Sequence, residues 1–292
     1  MGAEQNIKTV IGIDVGGSST KIVGFRKSGK AAPELIEPIL VEATDPVTSI
    51  YGAFGKFTSS NHLRIEDITG IMMTGAGSSV AKSSIFSLQC SKISEFSCVG
   101  RGGLFLSGLD EAVVVSMGTG TALIHAKKEN GAVTTKYLGG TGVGGGTLLG
   151  LNRKILGVDT IDHSEQLCAE GDLNNVDLRI KDIAKNHVYD GINENLTAAN
   201  FGKLSDLATP GDISLGIANM VAETILMVAV FAARGLNVAN VVLVGNLTTL
   251  SPIRNVFQNR DNSFGLNFII PERAQFGTVI GAALQGIENT EI

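Results

Sequence analysis

Three glycine-rich turns are the segments of this sequence whose residue types and spacing could bind phosphate. The first covers residues 14–21 and the second covers residues 117–121. The third begins at residue 139 and holds seven glycines in its twelve residues to 150. Because glycine has no Cβ, the backbone N–H groups of such turns can approach phosphate oxygens closely. The three turns together predict a site for a nucleoside triphosphate.

The first turn also carries side chains suited to a nucleotide and its metal ion. Asp14 ends an apolar segment, where its carboxylate could hold a hydrated magnesium ion, since Mg²⁺ prefers carboxylate and water ligands. The hydroxyls of Ser18 and Ser19 add donors beside the N–H groups of Gly16 and Gly17. Taken alone, this segment fits an ordinary Gly-Gly hairpin better. A second turn of the same kind in the other half of the chain favours phosphate binding instead.

The second and third turns extend the predicted ATP site. A helix that begins in the third turn would present free N–H groups and the positive end of its dipole to an anion. A flexible linker is the alternative interpretation of this glycine run, but apolar helix-forming residues follow it directly. The ATP-binding residues predicted in these two turns are Gly118, Thr119, Gly120, Thr121, Gly142, Gly144, Gly145 and Gly146.

A similar series of strands and helices is predicted in each half of the chain, and these elements position the turns. Apolar segments predict strands at residues 9–14, 21–25, 35–42, 68–74, 112–117, 121–126, 133–138, 241–245 and 267–270. Helices are predicted at residues 45–58, 145–154, 164–170, 176–184, 212–234, 252–259 and 276–286, with Asp45 and Asp212 as caps. Residues 78–109 are predicted to be mostly helical or irregular. In both halves three strands joined by hairpins precede alternating helices and strands, which predicts two α/β domains, 1–110 and 111–292, with a cleft between them.

Composition excludes several function classes. The chain has 292 residues, a formal net charge of −5 and no basic run, so it lacks the clustered Lys and Arg that grip a nucleic-acid backbone. Glycine is in excess, at 37 residues, but it lacks the three-residue period of collagen. A globular protein that needs glycine at particular places is the remaining interpretation.

The sequence predicts a cytoplasmic location. Its three cysteines are an odd number without C-x-x-C spacing, which fits a reducing compartment better than a disulfide framework or a zinc site. The first eight residues are polar, so no signal peptide is expected. The longest apolar stretch, residues 225–233, is about half of a bilayer span, so no membrane partner is expected.

Two partial matches to other nucleotide-binding motifs are rejected. Residues 24–31 nearly fit a P-loop, but Ala31 stands where Ser or Thr should bind magnesium, and Pro33 follows where a helix must start. Residues 140–145 contain G-x-G-x-x-G, but the strand before them belongs to a predicted hairpin rather than to a βαβ unit.

The motifs together resemble those of the acetate and sugar kinase/Hsp70/actin superfamily. They are Asp-x-Gly-Gly-Ser after a first strand, a Gly-Thr-Gly-Thr turn, and Val-Gly-Asn after a late strand. Within it the chain resembles the type II pantothenate kinases nearly from end to end. The most specific matching segments are residues 139–151, 171–177, 181–183, 197–202 and 276–284. This resemblance implies an α/β, two-domain ribonuclease H-like (actin-like ATPase/kinase) fold with an interdomain nucleotide cleft.

The resemblance also implies an activity. It is the ATP- and Mg²⁺-dependent phosphorylation of pantothenate to 4'-phosphopantothenate, the first step of coenzyme A biosynthesis. The first two turns then hold ATP phosphates, Lys21 matches the lysine of the first motif, and Gly245 and Asn246 contact adenosine. Glu95, followed by Phe96, matches the general base, and a carboxylate there accepts the proton of an attacking alcohol. The alternatives are a kinase of the same fold acting on another alcohol, such as pantetheine, and a regulator that binds nucleotide or acyl-CoA.

One departure from the family concerns the acceptor. The family carries Arg two positions before the Gly-Gly of the third turn, where this chain has Tyr137, which supplies no fixed positive charge. Lys136 and Arg101 are the candidates to replace that cation, although alternation along a strand points Lys136 to the opposite face. The substrate-binding residues implied are Glu95, Thr119, Tyr137, Gly139 and Gly140.

The long predicted helix, 212–234, bears on the oligomeric state. It is apolar around most of its circumference, which is typical of a helix buried in its own core or against another subunit. The type II pantothenate kinases are dimeric through long helices, so the resemblance implies a homodimer.

Overall fold

The computed structural model describes residues 7–17, 19–29, 31–42, 45–80, 84–184, 194–258 and 264–289. The strands are β1 Ile7–Val15, β2 Thr20–Ser28, β3 Glu34–Val41, β4 Ile68–Thr74, β5 Ser84–Ile85, β6 Leu88–Lys92, β7 Glu111–Met117, β8 Thr121–Glu129, β9 Ala132–Thr141, β10 Leu178–Arg179, β11 Thr197–Ala199, β12 Asn240–Val244 and β13 Asn267–Ile269. The helices are α1 Pro46–Ser60, α2 Glu95–Ser107, α3 Gly145–Leu156, α4 Ile161–Ala169, α5 Ile180–Ile183, α6 Pro210–Leu236, α7 Ser251–Gln258 and α8 Gly277–Asn289.

The chain forms two compact units. The first consists of Met1–Val114, Ile124–Tyr137 and Pro271–Ile292, and the second consists of Val115–Leu123 and Leu138–Ile270. Strands β7, β8 and β9 contribute residues to both units. The predicted division at residue 110 separates two similar runs of elements along the sequence. The compact units are composed differently, because the closing helix α8 belongs to the first.

A six-stranded sheet in the order β3-β2-β1-β4-β6-β5 forms the centre of the first unit, with β1 antiparallel to β2 and parallel to β4. The two faces of β1 pack against different helices. Ile11, Ile13 and Val15 join a buried cluster with side chains of α1. Val10, which points to the other face, packs with Val279 of α8. Both faces of the strand therefore carry buried apolar side chains, as expected of a strand covered on both sides.

Helix α2 is held against α8 by glycines at the contact. A Cβ at Gly102 would overlap the carbonyl oxygen of Gly277, and a Cβ at Gly281 would overlap that of Cys98. The two helix backbones can approach this closely only because those side chains are missing. This contact fixes the position of α2, whose first residue is Glu95.

The second unit is built around α6, which packs against α3, α4 and α7. The strand order β13-β12-β7-β8-β9 describes a five-stranded sheet, in which β12 and β13 are parallel and β12 is fully buried from Val241 to Val244. Helix α6 is long and apolar enough to cross a membrane by length and composition, but more than half of its most apolar window is buried inside the protein. That burial is what the core helix of a globular protein shows.

Residues 78–109 are mostly helical or irregular, as predicted, because α2 lies there, but they also contain the short strands β5 and β6. Two other predictions about elements were wrong. Residues 176–184 contain a two-residue strand and a four-residue helix in place of one longer helix. Helix α6 is capped by Thr209, and Asp212 is the third helical residue, whose carboxylate accepts the Thr209 N–H at 2.9 Å in a capping box.

Asp45 caps α1 as predicted, since its carboxylate accepts the Thr48 N–H at 2.6 Å. Gly24 lies inside β2, which agrees with the rejection of a P-loop there. Cys90, Cys98 and Cys168 are all free thiols.

Candidate active site

The first glycine turn joins β1 to β2, as the sequence predicts, and Ser18 lies outside the described residues. The Gly16 N–H donates to the Ser19 carbonyl oxygen at 3.0 Å, which closes the turn, and Gly16 and Gly17 are exposed. Asp14 and Lys21 are register partners on the two strands. The turn therefore presents exposed backbone between a strand that carries a carboxyl group and a strand that carries an ammonium group.

Lys21, Asp14 and Glu95 form an electrostatic cluster within the first unit. Lys21 is only 7% exposed, and burial lowers its pKa, while the charges of Asp14 and Glu95 act to raise it. Burial raises the pKa of Asp14, and Lys21 opposes that shift. Glu95, which was predicted from the family pattern alone, lies close enough to both groups for their charges to act on it.

The pKa of Glu95, the candidate general base, is raised. Burial raises the pKa of its carboxyl, the Asp14 charge raises it further, and the Lys21 charge lowers it. A raised pKa brings a carboxylate closer to the proton affinity that is useful in proton transfer near neutral pH. One turn along α2, burial raises the pKa of the Cys98 thiol to about 12, so this thiol stays protonated beside the cluster.

The second and third glycine turns lie together in the second unit. A Cβ at Gly144 would lie 2.6 Å from the Thr119 carbonyl oxygen, and the Thr121 hydroxyl donates to the Val143 carbonyl at 2.9 Å. The turn between β7 and β8 is thus packed directly on the start of α3. The glycines of the third turn allow this close packing because they have no side chains.

The prediction that α3 offers free N–H groups to an anion is wrong for two residues. The N–H groups of Gly145 and Gly146 donate to the carbonyl oxygens of Gly118 and Thr119, each at 2.9 Å. Strand β9 also continues to Thr141, so that Gly139 and Gly140 are strand residues and the turn itself is residues 142–144. The helix start therefore supports the second turn through hydrogen bonds that occupy these donors.

Gly245 and Asn246 follow β12 in the same unit. Gly245 has a φ of +101°, and a Cβ there would lie 2.5 Å from the Met117 carbonyl oxygen, so the position requires glycine. Among the described residues the buried Oδ1 of Asn246 has no hydrogen-bond partner. A polar atom left unpaired in this way is available to a bound molecule.

Arg101, Lys136 and Tyr137, the residues considered in place of the family's Arg, have different surroundings in the structure. Arg101 forms an ion pair with Glu288 at 2.6 Å and lies against the Val133 carbonyl, so its charge is neutralised on α8. Lys136 is exposed and alternates with Tyr137 along β9. Tyr137 stacks on Phe96, the residue after Glu95, and is therefore the one of the three that is joined to the candidate base.

Sequence reasoning missed the contact between Phe96 and Tyr137, because no local pattern marks it. The contact arises where α2 packs on β9: Thr135 lies against Gly100, and Tyr137 follows two positions later on the same face of the strand.

The described residues contain no group of three or more His, Cys, Asp or Glu side chains able to hold a metal ion. Asp14 alone fits the predicted magnesium contact, since Mg²⁺ bound to a nucleotide uses one or two carboxylates together with waters and phosphate oxygens.

Solved structures with the same architecture define the class of protein. The activator of the 2-hydroxyisocaproyl-CoA dehydratase from Clostridium difficile, with bound ADPNP, aligns over 97% of this chain and 96% of its own, with a TM-score of 0.66 and 20% identity. Component A of the (R)-2-hydroxyglutaryl-CoA dehydratase from Acidaminococcus fermentans aligns over 97% and 99%, with a TM-score of 0.65 and 20% identity. The chain therefore has the actin-like ATPase fold, as predicted.

Sequence comparison identifies the family within that class. The Fumble family profile matches residues 111–256, half of the chain, and the protein belongs to this family of type II pantothenate kinases. The type II pantothenate kinase of Oceanobacillus iheyensis is 29% identical over 59% of this chain and 63% of its own length. Those of Bacillus cereus and Staphylococcus haemolyticus are each 26% identical, over 82% and 93% of this chain and 84% and 98% of their own.

Proposed function

We propose that this protein transfers the γ-phosphoryl group of ATP to the primary alcohol of pantothenate and so forms 4'-phosphopantothenate, the first step of coenzyme A biosynthesis. The observation that carries the proposal is the cluster of Glu95, Asp14 and Lys21, which links a carboxyl group of raised pKa to the first glycine turn. The family relatives, which are named as pantothenate kinases, support pantothenate as the acceptor.

The residues divide the work as follows. Glu95 accepts the proton of the alcohol while the alcohol oxygen attacks the γ-phosphorus. ADP leaves with the electron pair of the broken P–O bond. Asp14 would hold a hydrated Mg²⁺ ion, whose charge would be available to offset that of the phosphates. Lys21 stabilises the two carboxylates, and its charge favours the ionised form of the base.

The glycine turns of the second unit bind the nucleotide in this proposal. The turn from Gly118 to Thr121 is held by α3 and contacts phosphate, and Gly245 with Asn246 contacts adenosine. ADPNP in a neighbour of the same fold supports nucleotide binding by the fold itself. Tyr137 contacts the acceptor beside Glu95.

We also propose a cytoplasmic homodimer, in which the exposed Phe231 of α6 lies at the interface. Sedimentation velocity measures the mass of this assembly.

The test of this function is acceptor-dependent phosphorylation. Purified protein is incubated with Mg-ATP and either pantothenate, pantetheine or no acceptor, and the phosphorylated product is identified by mass spectrometry together with ADP release. We expect pantothenate to be converted to its phosphate, with little ADP formed when no acceptor is present. If pantetheine alone were phosphorylated, pantetheine would replace pantothenate as the proposed acceptor. ATP binding without any transfer would make the protein a nucleotide-binding regulator and would overturn the proposal.

A further inference from the structure

A buried hydroxyl without a partner lies at the end of β4. Thr74 is the last residue of that strand and is 0% exposed. Among the described residues its Oγ1 has no hydrogen-bond partner. The Cys98 thiol lies beside it, but thiols are weak hydrogen-bond partners and no bond of acceptable geometry forms. Because burial removes a hydroxyl from water, an unpaired one points to a bound molecule or water that would satisfy it.

The Thr74 side chain leaves the sheet beside that of Asp14. The two residues are register partners in the parallel pair of β1 and β4, and neighbouring strands lie about 4.8 Å apart. Val10 and Met72, which precede them by even numbers of residues, both pack in the cluster that contains side chains of α8. Since side chains alternate between the faces of a strand, Asp14 and Thr74 also point to this face.

The turn after β4 touches the Asp14 carboxylate directly. Gly75 has a φ of +88°, and a Cβ there would overlap Oδ1 of Asp14 and lie 2.5 Å from the Val15 carbonyl oxygen. A Cβ at Gly77 would lie 2.6 Å from Cγ1 of Val15. Because neither position has a side chain, the chain that follows Thr74 passes against the carboxylate. The end of β4 therefore forms part of the surroundings of Asp14.

The chemistry of the two side chains suits a water on a metal ion. Such a water uses an oxygen lone pair for the metal and has two hydrogens to donate, and carboxylate and hydroxyl oxygens both accept hydrogen bonds. Lys21, the register partner of Asp14 on β2, has only donors and cannot take this part. Asp14 is partly exposed, so its carboxylate connects the buried hydroxyl with the accessible first turn.

We infer that Thr74 is a positioning residue for the magnesium ion, because its hydroxyl and the Asp14 carboxylate accept the two hydrogen bonds of one water in the hydrated Mg²⁺. The inference rests on the Mg-ATP binding of the proposed function and adds to it a residue outside the three glycine turns. Magnesium bound to a nucleotide keeps several of its waters. Groups that orient the ligands of a metal ion contribute to its affinity without touching it.

The experiment measures how much Mg²⁺ strengthens nucleotide binding. Calorimetry gives the Kd of ADPNP in Mg²⁺ and in EDTA, and the ratio of the two Kd values is compared between variants. Thr74→Val keeps the shape of the side chain and removes the hydroxyl. We expect it to lower the ratio by about tenfold, as for other groups that orient metal ligands. The Kd in EDTA should stay unchanged, and so should the Tm of the free protein, because the lost hydroxyl has no partner there.

Three further variants serve as checks. Thr74→Ser keeps a hydroxyl and should restore most of the ratio. Thr69→Val is the matched control on the same strand, since the Thr69 hydroxyl donates to the Thr9 carbonyl oxygen at 2.9 Å, and it should leave the ratio unchanged. Asp14→Asn combined with Thr74→Val should lower the ratio by less than the product of the two single effects, because both residues act on the same water.

The inference and the proposed function fail in different ways. A wild-type ratio in Thr74→Val overturns the inference and leaves the function intact. Equal weakening of ADPNP binding in Mg²⁺ and in EDTA also overturns it, and so does a Thr74→Val protein that is much less stable than the Thr69→Val control, because the hydroxyl would then have a structural role. If pantothenate is not phosphorylated, the function fails, and the ratio for Thr74→Val still decides the inference. Wild-type binding of ADPNP that does not respond to Mg²⁺ overturns both the inference and the metal role of Asp14.

Discussion

At the scale of single residues, the chemistry depends on one buried ammonium group that interacts with two carboxyl groups. Burial disfavours the charge on each of Asp14, Lys21 and Glu95, and the opposite charges offset part of that cost. Because burial and the repulsion between the two carboxylates both raise the pKa of Glu95, this residue retains its proton to a higher pH than a Glu of ordinary pKa. That places its proton affinity nearer to the working range of a general base.

The pH dependence of kcat/KM should report this arrangement. A base works only as the carboxylate, so the raised pKa of Glu95 makes activity fall, as the pH is lowered, at a higher pH than the ordinary Glu value. Asp14→Asn removes the like charge and should move this acid limb to lower pH, whatever its effect on the maximal rate. Lys21→Met removes the favourable charge and should move the limb to higher pH. An acid limb that neither variant displaces contradicts the assignment of Glu95.

The residue types at the site were predictable from sequence, but their contacts were only partly so. Asp14 and the first turn followed from the pattern of an apolar strand that ends in glycine, and Lys21 followed from the family resemblance. The hydrogen bonds of Gly145 and Gly146 could not be predicted, because they depend on a turn more than twenty residues away in the chain. The stacking of Tyr137 on Phe96 depends on the same kind of long-range packing.

At the scale of elements, the contact between α2 and α8 positions Glu95, the candidate base. Gly102 and Gly281 allow the two backbones to approach so closely that any side chain would overlap a carbonyl group. Such glycines look like helix-weakening residues in the sequence, since glycine in a helix costs up to about 1 kcal/mol relative to alanine. These glycines become favourable only in the folded protein, where they allow α2 and α8 to approach each other closely.

Alanine substitution should separate these two effects. Gly102→Ala introduces a clash and should destabilise the protein by about 1–3 kcal/mol, with a loss of activity as α2 shifts. Gly55→Ala in α1 meets nothing within 4 Å and should stabilise the protein by up to about 1 kcal/mol. Thermal or urea unfolding measures both changes. Equal effects of the two substitutions would show that the close contact between α2 and α8 is unimportant.

Element prediction succeeded for a strand that is mostly buried and failed for two that are short and partly exposed. Strand β4 was predicted at its observed bounds because it is rich in Ile and Met and most of it is buried. Strands β5 and β6 have only two and five residues, which is too short for a pattern to stand out. Thr209 was missed as the cap of α6 because Asp212 is also a common capping residue, and only the capping box distinguishes their roles.

At the scale of the whole molecule, the two compact units are each assembled from separate stretches of chain. The first unit contains the base and the first turn, and the second contains the two other glycine turns and Gly245. Local patterning predicted the glycine turns at the ends of strands. The grouping of α8 with the N-terminal strands could not be read from local patterns, because it joins the two ends of the chain.

Nucleotide binding should stabilise the whole protein. A ligand that binds only the folded state adds about 2.7 kcal/mol at a concentration one hundred times its Kd. We expect ADPNP to raise Tm and to do so more strongly with Mg²⁺ than with EDTA. Asp14→Asn should reduce the contribution of Mg²⁺ while leaving part of the shift due to the nucleotide. Differential scanning calorimetry measures these shifts, and a Tm that ADPNP does not change would contradict nucleotide binding.

The most direct test of the account is the rate of phosphoryl transfer to pantothenate with and without the Glu95 carboxylate. Glu95→Gln retains the shape of the side chain but cannot accept a proton, so kcat should fall by about 10²–10⁴-fold while ADPNP still raises Tm. The exposed Glu66→Gln is the matched control and should leave kcat unchanged. A Glu95→Gln protein that phosphorylates pantothenate as fast as the Glu66→Gln control would contradict the central claim.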